Sequence, residues 1–148
     1  MCGVAGIINR HGHAPWRWEE RIKRMLCLLE HRGPDYYGYT TSQDSRCVLG
    51  NTRLAIVDAN SKFPVPFKSG DGAGILSFNG EIFNHSDLRR SLRKMGGYFS
   101  TQSDTEVLCE GLRLKGLNIL GELDGFWAFS YFNQQDYSLL LSRDLLGE

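Results

Sequence analysis

An apolar segment at residues 4–8 begins only three residues after the start of the chain. Valine and isoleucine favour strands, whereas most chain ends fray unless a sheet or a helix holds them. We therefore predict that residues 4–8 form a strand within a sheet, and that this sheet fixes the N-terminus of the protein.

Cys2 lies just before this segment. Removal of Met1 would make Cys2 the first residue, with a thiol and a free α-amine on one residue. A peptide α-amine has a pKa of roughly 7.7–8.0, so it can take a proton from a nearby thiol, and the thiolate is the reactive form of cysteine. The alternative is that Cys2 is only a small apolar residue at the start of an edge strand.

The length and the charge of the chain exclude several classes of protein. A chain of 148 residues can bury one hydrophobic core. The sequence contains no linker and no internal repeat, so residues 1–148 are predicted to form one domain. Seventeen basic residues balance seventeen acidic ones, so no overall field favours nucleic acid or a membrane surface. The sequence has no apolar run near the roughly 20 residues that span a bilayer and no secretory signal pattern, so we expect a cytoplasmic protein.

The cysteines do not have the spacing of a metal site. Cys2, Cys27, Cys47 and Cys109 are far apart and form no C-x-x-C pair, so no bound metal is expected. Cys27 and Cys109 fall within helical patterns, where free cysteine usually faces the core.

Helical and strand patterns are mixed along the chain. Helices are predicted at residues 16–31, at residues 84–95 and from Ser103, where Ser103 and Glu106 have the spacing of a capping box. Residues 47–49 and 52–57 have the pattern of a hairpin around Gly50 and Asn51. Residues 74–78 form a further predicted strand, and residues 126–132 and 137–141 a hairpin buried on both faces.

Three further positions are candidates for a site. Arg53, at the predicted start of a strand, either extends to solvent or holds a carboxylate. Asn79 and Gly80 form either a hairpin turn or an oxyanion hole, made of a side-chain amide and a backbone N–H. Asp104, in a first helical turn, either complements the helix dipole or binds an ammonium group.

Five motifs occur in a fixed order: residues 1–7 (MCGVAGI), 31–35 (HRGPD), 53–58 (RLAIVD), 78–85 (FNGEIFNH) and 103–107 (SDTEV). Together they closely resemble the N-terminal glutaminase domain of asparagine synthetases, which is a class II glutamine amidotransferase with the N-terminal-nucleophile (Ntn) hydrolase fold. The resemblance covers essentially the whole chain.

The resemblance implies an α+β fold, a four-layer α-β-β-α sandwich of two largely antiparallel sheets with helices outside. The strands and amphipathic helices predicted above agree with it. The ATP-dependent synthetase domain of the family is absent from this chain. Residues 143–147 resemble a segment that normally continues onward, so the sandwich is expected to be truncated at its C-terminus or split from a partner.

The resemblance also implies roles for particular residues. Cys2 would attack the side-chain amide of glutamine while its own α-amine relays the proton, and Asn79 with the backbone of Gly80 would form the oxyanion hole. The glutamine-binding residues that it implies, besides Asn79 and Gly80, are Arg53 for the α-carboxylate, Glu81 and Asp104 for the α-ammonium side, and Leu54, Ala55, Ile56 and Val57 as the pocket wall.

The implied reaction is hydrolysis of L-glutamine to glutamate and ammonia, which supplies nitrogen for an amidation like that of asparagine synthetase. The glutaminase step needs no cofactor, and ATP and Mg would serve only the missing synthetase domain or subunit that receives the ammonia. Tyr36 and Tyr37 stand where the family usually has acidic or polar residues, which leaves the acceptor open. The alternatives are an amidotransferase with a different acceptor and a non-catalytic glutamine-binding or partner-docking domain.

Overall fold

A computed structural model describes residues 2–9, 16–54 and 64–147 of the chain. Short 3-10 helices at Glu30–Arg32 and Gly116–Glu122 accompany the main elements. In chain order these are β1 (Gly3–Ile8), α1 (Trp18–Leu28), β2 (Tyr36–Thr41), β3 (Cys47–Arg53), β4 (Phe67–Lys68), β5 (Gly74–Ile82), α2 (His85–Lys94), α3 (Asp104–Lys115), β6 (Gly125–Asn133) and β7 (Ser138–Arg143).

The strands form two antiparallel sheets. The first has the order β1-β3-β2 and the second the order β4-β5-β6-β7. The predicted strand at residues 4–8 is confirmed as β1, which pairs along its whole length with β3. The N-terminal strand is therefore tied into a sheet, as its composition predicts.

The two sheets face each other across an apolar layer, and the helices cover their outer faces. Leu49 of the first sheet packs there with Ile75 and Phe132 of the second. Helix α1 packs on the outer face of the first sheet, and α2 and α3 pack on that of the second. This arrangement confirms the predicted α+β class and the α-β-β-α layers.

The predicted hairpin around Gly50 and Asn51 is wrong, because β3 runs through both residues without a turn. A Cβ on Gly50 would lie 3.0 Å from Leu26 Cδ2 and 3.1 Å from Ile22 Cδ1, so glycine permits α1 to approach the sheet closely. Arg53 is consequently the last residue of β3 and not the first of a new strand. The remainder of the predicted second arm lies outside the described residues.

Asn79 and Gly80 do not form a turn either. Strand β5 continues through them to Ile82, in unbroken register with β6. Gly80 has a φ of 152°, and a Cβ there would overlap the carbonyl oxygen of Phe126. Close packing of two strands explains this glycine, and a tight turn does not.

Three smaller predictions have mixed outcomes. Cys109 is buried as predicted, whereas Cys27 is exposed on α1. Residues 129–132 of β6 are buried, but β7 is an edge strand and Leu141 is 68% exposed, so the hairpin is not buried on both faces. In the part of the chain that the structure describes, no helix has the length and apolar character needed to span a membrane.

Candidate active site

A cleft of about 300 Å³ opens beside β1, β3 and β5 and the N-terminus of α3. Pockets that bind small molecules usually have about this volume or more. Ala55, Ile56 and Val57 lie outside the described residues. Every other residue that the sequence suggested lines this one cleft: Cys2, Arg53, Leu54, Asn79, Gly80, Glu81 and Asp104.

Cys2 is half-buried at the entrance to β1, and the peptide groups around it are held by side chains. Arg32 Nε donates a hydrogen bond to the Cys2 carbonyl (3.2 Å). The N–H of Gly3 donates to Thr52 Oγ1 (2.9 Å), and Asn51 Nδ2 donates to the Gly3 carbonyl (2.8 Å). The backbone that carries the thiol is thus fixed on both sides of the Cys2–Gly3 peptide bond.

Asn79 directs its side chain towards the first sheet. Its neighbours at alternate positions on β5 show this, because Ile75 packs with Leu49 and Ser77 Oγ donates to the Gly50 carbonyl (2.7 Å). The Asn79 side chain is 7% exposed and lines the cleft together with Cys2. Its amide therefore lies on the thiol side of β5.

The peptide groups of Gly80 face away from β6 and towards the other edge of β5. Its ladder partner Trp127 directs its own N–H and C=O to Asp144 on the β7 side. Residues at alternate positions of a strand direct their N–H groups to the same edge, and the N–H groups of Phe78 and Ile82 bond to Asn51 and Asp104. Gly80 lies between these two positions, so its N–H faces that edge as well.

Oppositely charged residues line the cleft. Arg53 ends β3, and its backbone carbonyl accepts the Asp35 N–H (3.1 Å). Asp104 begins α3 and accepts the N–H of Ile82 (3.0 Å) and that of Thr105 (2.7 Å). A carboxylate has about four acceptor positions, so Asp104 retains capacity for a ligand. Glu81 adds a second, exposed carboxylate.

A buried polar cluster supports the start of α3. The predicted cap is confirmed at Ser103, whose side chain accepts the Glu106 N–H (3.2 Å). Glu106 does not return a bond to Ser103 but accepts the N–H groups of Ser100 and Thr101, both at 2.8 Å. Burial acts to raise the pKa of Glu106, yet the bonds from Thr101 and Ser100 outweigh it and lower the pKa. Arg89 Nη2 donates to the Ser103 carbonyl (3.0 Å).

Several other residues of the cleft are not predicted from the sequence to belong to a site. Asn51 is predicted to lie in a turn, and His85 lies in one of the five motifs without a function of its own. The Nδ1 atom of His85 is buried and has no hydrogen-bond partner within the described residues. Apolar walls come from Leu54, Val65, Phe67, Phe78 and Phe126. A strand assignment for residues 50 and 51 would have placed Asn51 on the cleft side with Arg53.

Among residues 2–9, 16–54 and 64–147, no group of three or more histidine, cysteine, aspartate or glutamate side chains is arranged to hold a metal ion.

Comparison with curated proteins finds relatives along the whole chain. It is 38% identical over 149 residues to asparagine synthetase (glutamine-hydrolyzing) 1 of Bacillus subtilis (strain 168), an alignment that covers 99% of this chain and 23% of that protein. It is 36% identical to a probable asparagine synthetase (glutamine-hydrolyzing) of Dictyostelium discoideum, covering 99% of this chain and 26% of the relative. The chain thus spans about a quarter of the length of these relatives.

A solved structure has the same fold. The glutamine phosphoribosylpyrophosphate amidotransferase from B. subtilis, complexed with ADP and GMP, superposes with a TM-score of 0.68 at 24% identity, covering 97% of this chain and 37% of the other. This likeness supports the predicted Ntn-hydrolase type of sandwich.

A family model described as a glutamine amidotransferase domain matches residues 1–148. The match extends over all five motifs that carry the resemblance. The chain therefore belongs to the glutamine amidotransferase domain family.

Proposed function

We propose that this protein hydrolyses the side-chain amide of glutamine to glutamate and ammonia, with Cys2 as the nucleophile. The observation that carries the proposal is that Cys2, Asn79 and Gly80 line one cleft, together with an arginine and two carboxylate residues. Membership of the amidotransferase family supports the same reaction.

Substrate binding depends on the polarity of the cleft. Arg53 binds the α-carboxylate of glutamine, for which the guanidinium fork is suited, and Asp104 with Glu81 binds the α-ammonium group. Glutamine is then held by its amino-acid end while its side-chain amide reaches Cys2. Leu54, Ala55, Ile56 and Val57 are proposed to line the pocket for the aliphatic part.

Removal of Met1 leaves Cys2 with a free α-amine, which accepts the thiol proton as the sulfur attacks the amide carbon. A carbon–sulfur bond forms, and the amide oxygen becomes an oxyanion that Asn79 and the Gly80 N–H stabilise, each donor by about 3 kcal/mol in the barrier. The carbon–nitrogen bond breaks, and the α-ammonium group returns the proton to the departing ammonia. Water then gives a proton to the same amine and attacks the thioester carbon. The carbon–sulfur bond breaks, the amine returns the proton to the sulfur, and glutamate is released.

The ammonia is proposed to serve an amidation of the asparagine-synthetase type, because relatives at 36–38% identity carry that name. A synthetase domain or subunit would receive it and would use ATP and Mg. The glutaminase step itself needs neither, and the cytoplasm stays the predicted compartment.

Glutamate release by the purified chain tests the proposal, after the intact mass has established that Met1 is removed. We expect turnover in the wild type, turnover that is unchanged by EDTA and by omission of ATP, and none in Cys2→Ala. Cys27→Ala removes an exposed thiol elsewhere and should retain the wild-type rate. Equal rates in wild type and Cys2→Ala would refute Cys2 as the nucleophile.

The two alternatives differ from this proposal in measurable ways. A non-catalytic glutamine-binding domain would bind glutamine in calorimetry without releasing glutamate. A different acceptor would leave the glutaminase rate intact, but ammonia would not be transferred to aspartate when a synthetase partner is supplied.

A further inference from the structure

Asn51 lies in the middle of β3 with its side chain on the floor of the cleft, and it is 3% exposed. We infer that Asn51 is a positioning residue, which sets the distance between the Cys2 thiol and the oxyanion donors Asn79 and Gly80. The inference rests on the proposed function, since it assigns Asn51 to the same reaction.

The Asn51 amide joins the strand of the nucleophile to the strand of the oxyanion hole. Its Nδ2 donates to the carbonyl of Gly3 (2.8 Å), the residue after Cys2, and to the carbonyl of Phe78 (3.2 Å), the residue before Asn79. Its Oδ1 accepts the N–H of Phe78 (3.0 Å). One side chain therefore contacts the immediate neighbours of both catalytic groups.

The hydrogen bonds between Asn51 and Phe78 take the place of a neighbouring strand on one edge of β5. Strand β4 is the neighbour of β5 on this edge, but its pairing ends where Phe67 opposes Leu76. Two residues further on, the N–H and C=O of Phe78 both bond to the Asn51 side chain. The amide has the same donor and acceptor pair as a peptide group, so it satisfies the edge of β5 that β4 leaves uncovered.

The donors of the Asn51 side chain are engaged within the protein. Its Nδ2 donates to the carbonyls of Gly3 and Phe78 and lies 3.4 Å from that of Thr52. Its Oδ1 accepts the Phe78 N–H and lies 3.1 Å from the hydroxyl of Ser77, whose one proton goes to a nearer backbone carbonyl (2.7 Å). Because both donors are committed to the backbone, Asn51 acts through the two strands that it joins and does not bind the substrate.

The geometric importance of Asn51 follows from the layered fold. Cys2 precedes a strand of the first sheet, whereas Asn79 and Gly80 belong to the second. In the described part of the chain no β-ladder joins the two sheets, so side-chain bonds such as this one set their relative position. A displacement of about 1 Å between reacting groups can lower a rate about a hundredfold.

Two substitutions and a matched control test this role in the full chain with Cys27→Ala as background. Asn51→Ala removes the amide, and Asn51→Asp keeps its shape but replaces the donor with an acceptor that faces three carbonyl groups. Ser77→Ala is the control, because it removes a buried hydroxyl from the same network and leaves the bonds of Asn51 to Gly3 and Phe78. Asn51→Asp serves alone if Asn51→Ala does not fold, and circular dichroism monitors folding.

We expect kcat for glutamine to fall about tenfold to a hundredfold in the Asn51 variants, with KM within about threefold because Arg53 and Asp104 are unchanged. Alkylation of Cys2 by iodoacetamide needs the thiol but no oxyanion hole, so its rate should stay within about threefold of wild type. If Asn51 had only a structural role, a part of each variant would be misfolded, and the fraction of Cys2 that is labelled would fall in proportion to kcat.

The outcomes separate the two proposals. Suppose that the wild type turns over glutamine and that folded Asn51→Ala or Asn51→Asp has a kcat no lower than that of Ser77→Ala. This result would overturn the role of Asn51 and leave the proposed function in place. Equal proportional losses of kcat and of labelling would overturn it as well. A wild type that releases no glutamate, or turnover that persists in Cys2→Ala, would instead refute the proposed function, and with it the assignment of Asn51.

Discussion

Asp104 has a structural role, and the proposed function gives the same side chain a binding role. Its two oxygens accept the N–H groups of Ile82 and Thr105, so the carboxylate is held at the junction of β5 and α3. A charge fixed in this way requires no rearrangement when an ammonium group binds, and pre-organisation reduces the cost of binding. The proposed recognition of glutamine therefore depends on the charge of Asp104 as well as on its position.

Asp104→Asn should raise KM for glutamine about tenfold or more, because the side chain loses its negative charge; the amide keeps one of the two oxygens that accept backbone N–H groups. Glutaramate, which is glutamine without its α-amino group, should be hydrolysed with a similar KM by wild type and variant. Steady-state kinetics with both substrates measure this, and Asp87→Asn on the exposed face of α2 is the control. An equal loss for both substrates would contradict ammonium binding by Asp104.

The identity of individual residues was easier to predict than their conformation. Cys2, Arg53 and Asp104 were selected for their chemistry, and each lines the cleft. The sequence leaves Asn79 and Gly80 open between a turn, which Asn-Gly favours, and an oxyanion hole. In the structure both continue β5, and the glycine admits the Phe126 carbonyl of the next strand. Such a contact depends on a residue more than forty positions away, which local propensity does not contain.

The start of α3 depends on a buried pair behind it. Arg89 donates to the carbonyls of Thr101 and Ser103, and Glu106 accepts from Ser100 and Thr101. Arg89 Nη1 lies 3.8 Å from Glu106 Oε2, and both residues are almost completely buried. Together they fix the loop that leads to the cleft, so the position of Asp104 depends on charges that do not touch it.

The lowered pKa of Glu106 predicts that the stability of the protein depends on pH. Because its pKa is lower in the folded protein than its ordinary value of 4.5, the folded state binds fewer protons than the unfolded state, and the stabilisation is complete above about pH 4.5 and lost as pH falls through the folded pKa. Glu106→Gln should reduce the free energy of unfolding at pH 7 by about 1–3 kcal/mol, and by less at pH 3.

Urea unfolding between pH 3 and pH 7 measures this difference. Glu122→Gln provides the matched control, because Glu122 is an exposed partner of Lys115 and surface ion pairs contribute little. A stability difference between wild type and Glu106→Gln that stays constant over this range would show that the Glu106 charge is not what holds the loop.

At the level of elements, periodic patterns predicted the helices, apolar composition predicted β1, and the pairing of β6 with β7 was predicted as a hairpin and is confirmed, whereas the pairing of β3 was predicted wrongly. The pattern of residues 47–57 was broken by Gly50 and Asn51, which suggested two short strands. In the structure both residues face other elements: Gly50 faces α1, and Asn51 faces β5. Glycine and asparagine favour turns in isolation, and only the packed layers make them suitable for a central strand.

The whole molecule places the two halves of the site on different sheets. Cys2 directly precedes β1 and Arg53 ends β3, both strands of the first sheet, while Asn79 lies in the second and Asp104 is bonded to it through Ile82. A bound glutamine that contacts Arg53 and Asp104 would therefore connect the two sheets. Ligands that bind only the folded state stabilise it by mass action.

Glutamine should raise the melting temperature of Cys2→Ala, which binds without turnover. A concentration of 100 Kd adds about 2.7 kcal/mol, and each kcal/mol corresponds to roughly 2–4 °C for a chain of this size. Differential scanning calorimetry measures the shift, and D-glutamine at the same concentration controls for general effects of an amino acid. Cys2→Ala combined with Arg53→Ala should lose most of the shift, since no cation then holds the α-carboxylate. Two results would mean that the two sheets do not share one glutamine site. One is a Tm of Cys2→Ala that rises equally with D-glutamine and with L-glutamine, and the other is an equal rise with L-glutamine in Cys2→Ala and in the double variant.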